Sequence, residues 1–144
     1  MKRTVKQGPA TIAFAVKDGQ AVGTMNMNGQ ERPIQVALPG PLFADGAGGP
    51  QVLGTLPLAA GYKATFHNFD TMKQKSKSMQ LEVTARESVT VPAGTFDAWK
   101  VDVTSADGGN DRMTFWIDAK TRQYVKSTAV LAQMGGAVLT AELL

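Results

Sequence analysis

The sequence has no cysteine and only one histidine among its 144 residues. The lack of cysteine excludes disulfides, cysteine nucleophiles and thiolate metal sites. His67 and the nearby Asp70 are too few ligands for a preformed metal site, and the usual serine triad also lacks parts. We therefore predict no metal, no cofactor and no catalytic residue, and we interpret His67 as a polar residue on the solvent face of a strand.

Strong charge and long apolar runs are also missing. The net charge is only +3, and the basic residues do not form an arginine-rich arm, which argues against nucleic acid as a partner. No run approaches the roughly 20 apolar residues that a membrane-spanning helix needs. Met1, Lys2 and Arg3 are not followed by the apolar segment of a signal peptide.

Glycine and proline are plentiful, with 15 and 7 residues, so the sequence predicts many short elements joined by turns. The region 87–126 alternates large apolar and polar residues in three runs, which is typical of an antiparallel meander. We predict one buried face for its central hairpin, because successive strand residues point to opposite faces. The residues assigned to that face are Trp99, Val101, Val103, Met113, Phe115 and Ile117.

The same alternation extends over most of the chain. Asp18–Gly19 and Asn28–Gly29 are strong hairpin signals and predict a three-stranded meander near the start. Alternation returns after residue 62, a polar segment at 73–78 predicts an exposed hairpin tip, and 138–144 predicts a last strand. The predicted fold is mainly β: one domain over 1–144 with about nine or ten strands in a curved antiparallel sheet, a half-barrel or open barrel.

The region 39–61 interrupts this pattern with several prolines and glycines. We predict a long crossing loop that holds one short helix between Gln51 and Ala60. Leu53 and Leu56 would lie against the sheet. They form either a movable lid over a ligand or permanent core.

Methionines and aromatic residues supply the candidate binding surface. Thioether side chains adapt to varied apolar ligands, although they also fill irregular cores. An indole on the outward face of its strand could line a groove, and the alternative is an aromatic cluster packed under the crossing loop. The predicted ligand-binding residues are Met25, Met27, Leu53, Leu56, Phe96, Trp116 and Tyr124.

Carboxylates in or near the central meander offer an enzymatic alternative. A glycosidase-like site needs two of them in one cleft. The candidates are Asp97, Asp102, Asp107, Asp111 and Asp118, and each also has a plain role in a turn or on a strand.

Four sequence blocks carry a family resemblance. Residues 87–101 contain the block Val-Pro-Ala-Gly-Thr-Phe, 114–118 read Thr-Phe-Trp-Ile-Asp, 121–126 read Thr-Arg-Gln-Tyr-Val-Lys, and 56–62 read Leu-Pro-Leu-Ala-Ala-Gly-Tyr. These blocks resemble an uncharacterised bacterial family catalogued as domain of unknown function 3108. The resemblance implies an envelope β-domain related to lipoprotein-carrier half-barrels, located in the periplasm or cell envelope and excised from a longer exported protein. It carries over no catalytic residue.

Three functions remain open from the sequence. The first is a non-catalytic envelope module whose curved sheet would hold a lipid or other apolar ligand, or would dock on a partner domain. The second is a carboxylate-based hydrolase. The third is a purely structural domain appended to an exported enzyme.

Overall fold

Strands dominate the computed structural model, which describes residues 2–7, 10–40, 42–44, 49–70, 74–110, 112–131 and 135–144. One helix, α1, accompanies eleven strands. In chain order they are β1 (Lys2–Gln7), β2 (Ala10–Lys17), β3 (Gln20–Met27), β4 (Gln30–Ala37), β5 (Leu42–Ala44), α1 (Gly49–Leu53), β6 (Lys63–Asp70), β7 (Lys75–Val91), β8 (Gly94–Ser105), β9 (Arg112–Asp118), β10 (Tyr124–Leu131) and β11 (Ala137–Glu142).

The predicted mainly-β antiparallel fold is confirmed, and its strands divide between two open sheets. The first has the order β1-β2-β3-β4, and the second has the order β11-β10-β9-β8-β7-β6-β5. Only the short β5 runs parallel to its neighbour among the described pairs. Alternation did not indicate β1, which is rich in lysine and arginine, or β5, which has three residues.

Two tight turns shape the first sheet. Asp18 and Gly19 have φ of 50° and 72°, and Asn28 and Gly29 have 53° and 82°. Two-residue hairpin turns of this kind need positive φ at both positions, which Asn, Asp and Gly tolerate. One face of the sheet buries Ile12, Phe14, Ala21, Met25 and Ile34 together with Phe69 from β6.

The larger sheet buries the face predicted for the central hairpin. Val101, Val103, Phe115 and Ile117 are at most 8% exposed, and Trp99 and Met113 pack against them half-buried. We call this the inner face. Its other buried members are Leu53, Leu58, Met79, Leu81 and Val83.

A β-bulge at Thr84 changes which face of the sheet the residues of β7 occupy. Val83 pairs with Val101, whereas Ala85 pairs with Lys100, so β7 contains one extra residue. The odd-numbered residues after the bulge therefore lie on the opposite side, the outer face. Val89 and Val91 form a second small core there with Ala98 and Val125.

The crossing segment contains a shorter and earlier helix than the sequence predicts. Helix α1 ends at Leu53, and the next residue, Gly54, lies so close to the β9–β10 turn that an added Cβ would be 2.2 Å from the Arg122 carbonyl oxygen. Leu53 and Leu58 are 2% and 4% exposed in the inner-face core. In this structure they have the position expected of core residues.

The polar segment predicted as a hairpin tip was only partly a turn. Strand β7 begins at Lys75, which pairs with Asp70 of β6, so Lys75 to Ser78 are strand residues. Residues 75–78 pair with β6 despite the low strand propensity of lysine, because strand propensity depends strongly on the neighbouring strand. Residues 71–73 lie outside the described part of the chain.

Candidate functional site

The predicted ligand-binding residues fall into three separate places. Leu53 belongs to the inner-face core, with Leu56 and Tyr124 packed against it. Met25 belongs to the core of the first sheet, and Met27 is 39% exposed nearby. Phe96 and Trp116 both pack on the outer-face core. The structure therefore does not gather them into one pocket, and their role in binding stays a prediction.

Trp116 lies on the outer face as its position in the alternation predicts. Its indole nitrogen donates a hydrogen bond to Glu87 Oε1 at 2.7 Å. The ammonium groups of Lys100 and Lys126 each lie 5.8 Å from the centroid of its ring. These distances are within the range of cation–π attraction, so the indole and both lysines form one surface.

A polar depression adjoins this surface. It has a volume of about 370 Å³ and lies on the outer face of β7, β8 and β9. A second depression of about 340 Å³ shares Thr104 and Arg112 with it and continues toward the β8–β9 turn. We call the first depression the polar trough. Its lining residues are Gln80, Glu82, Thr84, Lys100, Asp102, Thr104, Arg112 and Thr114.

Alternation explains why the trough is hydrophilic. Its residues on β8 and β9 occupy even positions, whereas the odd positions of these strands supply the inner-face core. The sequence singled out only Asp102 among these even positions, as a candidate carboxylate, and did not predict that three neighbouring strands bring them together. The signal that could have found them is the cross-strand register, which pairs Glu82 with Asp102 and Asp102 with Thr114.

The negative charges of the trough already have partners. Asp102 accepts hydrogen bonds from the hydroxyls of Thr84 at 3.1 Å and Thr114 at 2.7 Å. Glu82 forms an ion pair with Lys63 at 2.9 Å. By contrast, neither Lys100 nor Arg112 has a carboxylate partner among the described residues. Lys100 and Arg112 are therefore the cations of the trough without an ion pair in the described ranges, whereas Asp102 keeps its negative charge because its partners are neutral hydroxyls.

Glu82 and Asp102 are the two carboxylates that line the polar trough. They lie directly opposite each other on β7 and β8, where cross-strand Cβ atoms are about 4.5–5.5 Å apart. A hydrolase would need one of them as a proton donor and the other as a base or nucleophile. Their threonine and lysine partners instead hold both as hydrogen-bond or ion-pair acceptors.

The other candidate carboxylates have structural contacts. Asp97 pairs with Arg86, and this guanidinium lowers the pKa of the carboxyl. The hydroxyl of Ser105 lowers the pKa of Asp107 within the β8–β9 turn. Asp118 is buried, and hydrogen bonds from the hydroxyl and backbone of Thr121 lower its pKa. Asp111 lies outside the described residues.

His67 lies in β6, half-buried, with its Nδ1 atom enclosed and without a hydrogen-bond partner. Throughout the described ranges, no three side chains of His, Asp or Glu come together as metal ligands would. Within those same ranges no helix is both long and apolar enough to cross a membrane.

Comparison with known proteins identifies a family and no individual relative. Neither the curated proteins nor the solved structures contain a significant match to the chain. A family model described as "Protein of unknown function (DUF3108)" matches residues 3–141, which is nearly the whole chain. The family description names no activity, substrate or cofactor. The match agrees with the resemblance carried by the central meander, and the chain belongs to this DUF3108 family.

Proposed function

We propose that this chain is a non-catalytic binding module and that the polar trough beside Trp116 is its binding surface. The observation that carries the proposal is the pair of cations in the trough. Asp102 and Glu82 accept hydrogen bonds or an ion pair from neighbouring strands, while Lys100 and Arg112 have no carboxylate partner in the described part of the chain and can bind an incoming group. The ligand is therefore polar and carries anionic groups.

The dimensions of the surface favour an extended ligand. Lys100 and Arg112 belong to cross-strand rows four residues apart along β8, because Arg112 pairs with Thr104. At about 3.3 Å per strand residue, these rows are about 13 Å apart. A compact anion would contact one cation, whereas a chain-like ligand with repeated carboxylates or phosphates would contact both.

Nuclear magnetic resonance titration with an acidic oligosaccharide tests the proposal. We expect shift changes at Thr114, at the backbone of Lys100 and Arg112, and at the indole of Trp116. A neutral oligosaccharide of equal length should cause much smaller changes. The double variant Lys100→Ala with Arg112→Ala should lose binding, whereas Lys17→Ala, an exposed cation on β2 of the other sheet, should not. Equal binding by the double variant would refute the role of these cations.

A smaller apolar-lined depression supports a second candidate, the binding of a lipid or other apolar ligand. It has a volume of about 270 Å³ and is lined by Met25, Met27, Asn28, Gln30 and Arg32. This volume is slightly below the roughly 300 Å³ of a typical small-ligand site, so the depression suits a single short hydrocarbon chain of a ligand. Native mass spectrometry of the purified protein distinguishes the two candidates. A lipid that stays bound to the unaltered chain and is absent from Met27→Asp would favour the apolar-ligand candidate.

The hydrolase alternative makes a separate prediction about Glu82 and Asp102. If they are catalytic, Glu82→Gln and Asp102→Asn should each abolish turnover of a bound oligosaccharide while leaving its affinity nearly unchanged. Under the binding-module proposal, chromatography of the incubated ligand shows no cleavage by the unaltered chain. Location in the periplasm or cell envelope also remains a proposal, which cell fractionation of the native host would test.

A further inference from the structure

Strand β11 is an unusually open edge of the larger sheet. All six of its residues are exposed, and Val138 and Leu139 are 63% and 60% exposed. It pairs with β10 on one side and lies at the end of the strand order in the described part of the chain. An edge of this kind presents unpaired backbone groups to another strand.

The other edge strands have features that discourage pairing. Strand β1 has two lysines and an arginine among six residues, and β5 has only three residues. Strand β4 contains Pro33, which removes a backbone donor, beside Glu31 and Arg32. The stretch from Ala137 to Ala141 has no charge and no proline. Among the described edges, β11 alone lacks this protection.

The hydrogen bonds to β10 show which groups remain available. Leu143 N donates to Val125 O at 2.9 Å, so the odd-numbered residues of this segment direct their backbone groups toward β10. In an antiparallel pair, alternate residues direct both groups to the same side. Val138 and Thr140 therefore direct their N–H and C=O groups toward the open edge.

We propose that β11 is the interface of a two-fold homodimer, in which it pairs antiparallel with β11 of a second copy. The symmetric register places Leu139 opposite Leu139 of the second copy, and Val138 opposite Thr140. The outward backbone groups of Val138 and Thr140 then bond across the interface, since they form the hydrogen-bonded pairs. The leucines form the closer pair without hydrogen bonds, where side chains approach most tightly.

Charge favours a second copy as the occupant. The single charge of β11 is Glu142, which already forms an ion pair with Lys126 at 2.8 Å. In the symmetric register Glu142 lies opposite Gly136, so self-pairing brings no like charges together. A two-fold contact also uses one patch twice, as most homodimers do.

Sedimentation of the full chain over a range of concentrations tests the proposal. We expect a reversible monomer–dimer equilibrium, and we expect Leu139→Lys to raise the dimer dissociation constant about tenfold or more, because it opposes two like charges. Val22→Lys is the matched control, since Val22 is 46% exposed on the other sheet, and it should leave the constant unchanged. The proposal is overturned if the chain stays monomeric over this range of concentrations. It is also overturned if Leu139→Lys and Val22→Lys change the dissociation constant equally.

Single-cysteine cross-linking tests the register, because the chain has no cysteine of its own. The opposed Leu139→Cys pair has a Cα separation of about 4.5 Å, which a disulfide spans. The Val138→Cys residues would be diagonal neighbours about 7–8 Å apart, which a disulfide spans poorly. We expect oxidation to give a covalent dimer much faster for Leu139→Cys. Equal rates, or faster linkage at Val138, contradict this register.

Discussion

Asp118 is the one carboxylate among the described residues that is buried, at 6% exposure. It accepts a hydrogen bond from Thr121 N at 2.7 Å and another from the Thr121 hydroxyl. Its own backbone pairs with Gln123 and Arg122, which closes the turn between β9 and β10. The side chain therefore stabilises the turn that aligns Trp116 with Lys126.

The first prediction concerns the ionisation of this residue. Asp118→Asn should lower the free energy of unfolding by about 1–2 kcal/mol at neutral pH, because hydrogen bonds to a charged acceptor are stronger. The folded pKa is lowered, so the contribution is complete above the ordinary aspartate value and is lost as pH falls through the folded pKa. Urea unfolding of both proteins between pH 7 and pH 2 measures it. A gap that widens with acid would contradict this sign.

Gly54 provides the second prediction at the residue scale. A Cβ there would lie 2.2 Å from the Arg122 carbonyl oxygen, so Gly54→Ala must displace either α1 or the β9–β10 turn. We expect a loss of about 1–3 kcal/mol, as for overpacked core sites. Gly40→Ala is the control, since its Cβ would make an ordinary 3.5 Å contact with His67. Similar decreases in melting temperature for Gly54→Ala and Gly40→Ala would contradict this prediction, because they would show that α1 or the β9–β10 turn moves at little cost in free energy.

At the scale of elements, the β8–β9 hairpin determines the division between core and binding surface. Its odd residues pack on Leu53 and Leu58, and its even residues line the polar trough.

The third prediction tests this hairpin. Phe115→Ala should cost about 3–5 kcal/mol in the free energy of unfolding, because it opens a cavity in the inner-face core. Chemical denaturation measures the loss, and Phe96→Ala, at a half-buried position, should cost less. A loss below about 1 kcal/mol for Phe115 would mean that the opposite face is the core.

At the scale of the whole molecule, the crossing segment joins the sheet through side chains and backbone. Leu53 and Leu58 are buried in the inner-face core, and Gly61 and Tyr62 exchange backbone hydrogen bonds with Val83.

The fourth prediction is that the hydrogen-bonded amides of residues 55–62 exchange nearly as slowly as those of Val101 and Val103. Hydrogen exchange measured by mass spectrometry with and without a phospholipid micelle provides the test. Fast exchange in this segment that becomes slower when the micelle is added would instead support the movable-lid hypothesis.

The local sequence pattern alone determined the buried face of the central hairpin, the two tight turns and the family resemblance. The alternation in β8 and β9 predicts which residues are buried, because the side-chain period of a strand is two. Asp18–Gly19 and Asn28–Gly29 predict their turns, since few residues adopt two successive positive φ angles. The family resemblance carried by the central meander was likewise contained in short blocks of sequence, and the match to residues 3–141 confirms it.

Only the tertiary structure decided how these strands combine. The bulge at Thr84 moves Val89 and Val91 to the outer face, and no local signal distinguishes them from Val83. The polar trough depends on register across three strands, which brings Glu82 opposite Asp102 from twenty residues away. The need for a glycine at position 54 depends on the Arg122 carbonyl, far along the chain. These features arise from contacts between distant residues, whereas periodicity and turn chemistry act over only a few neighbouring positions.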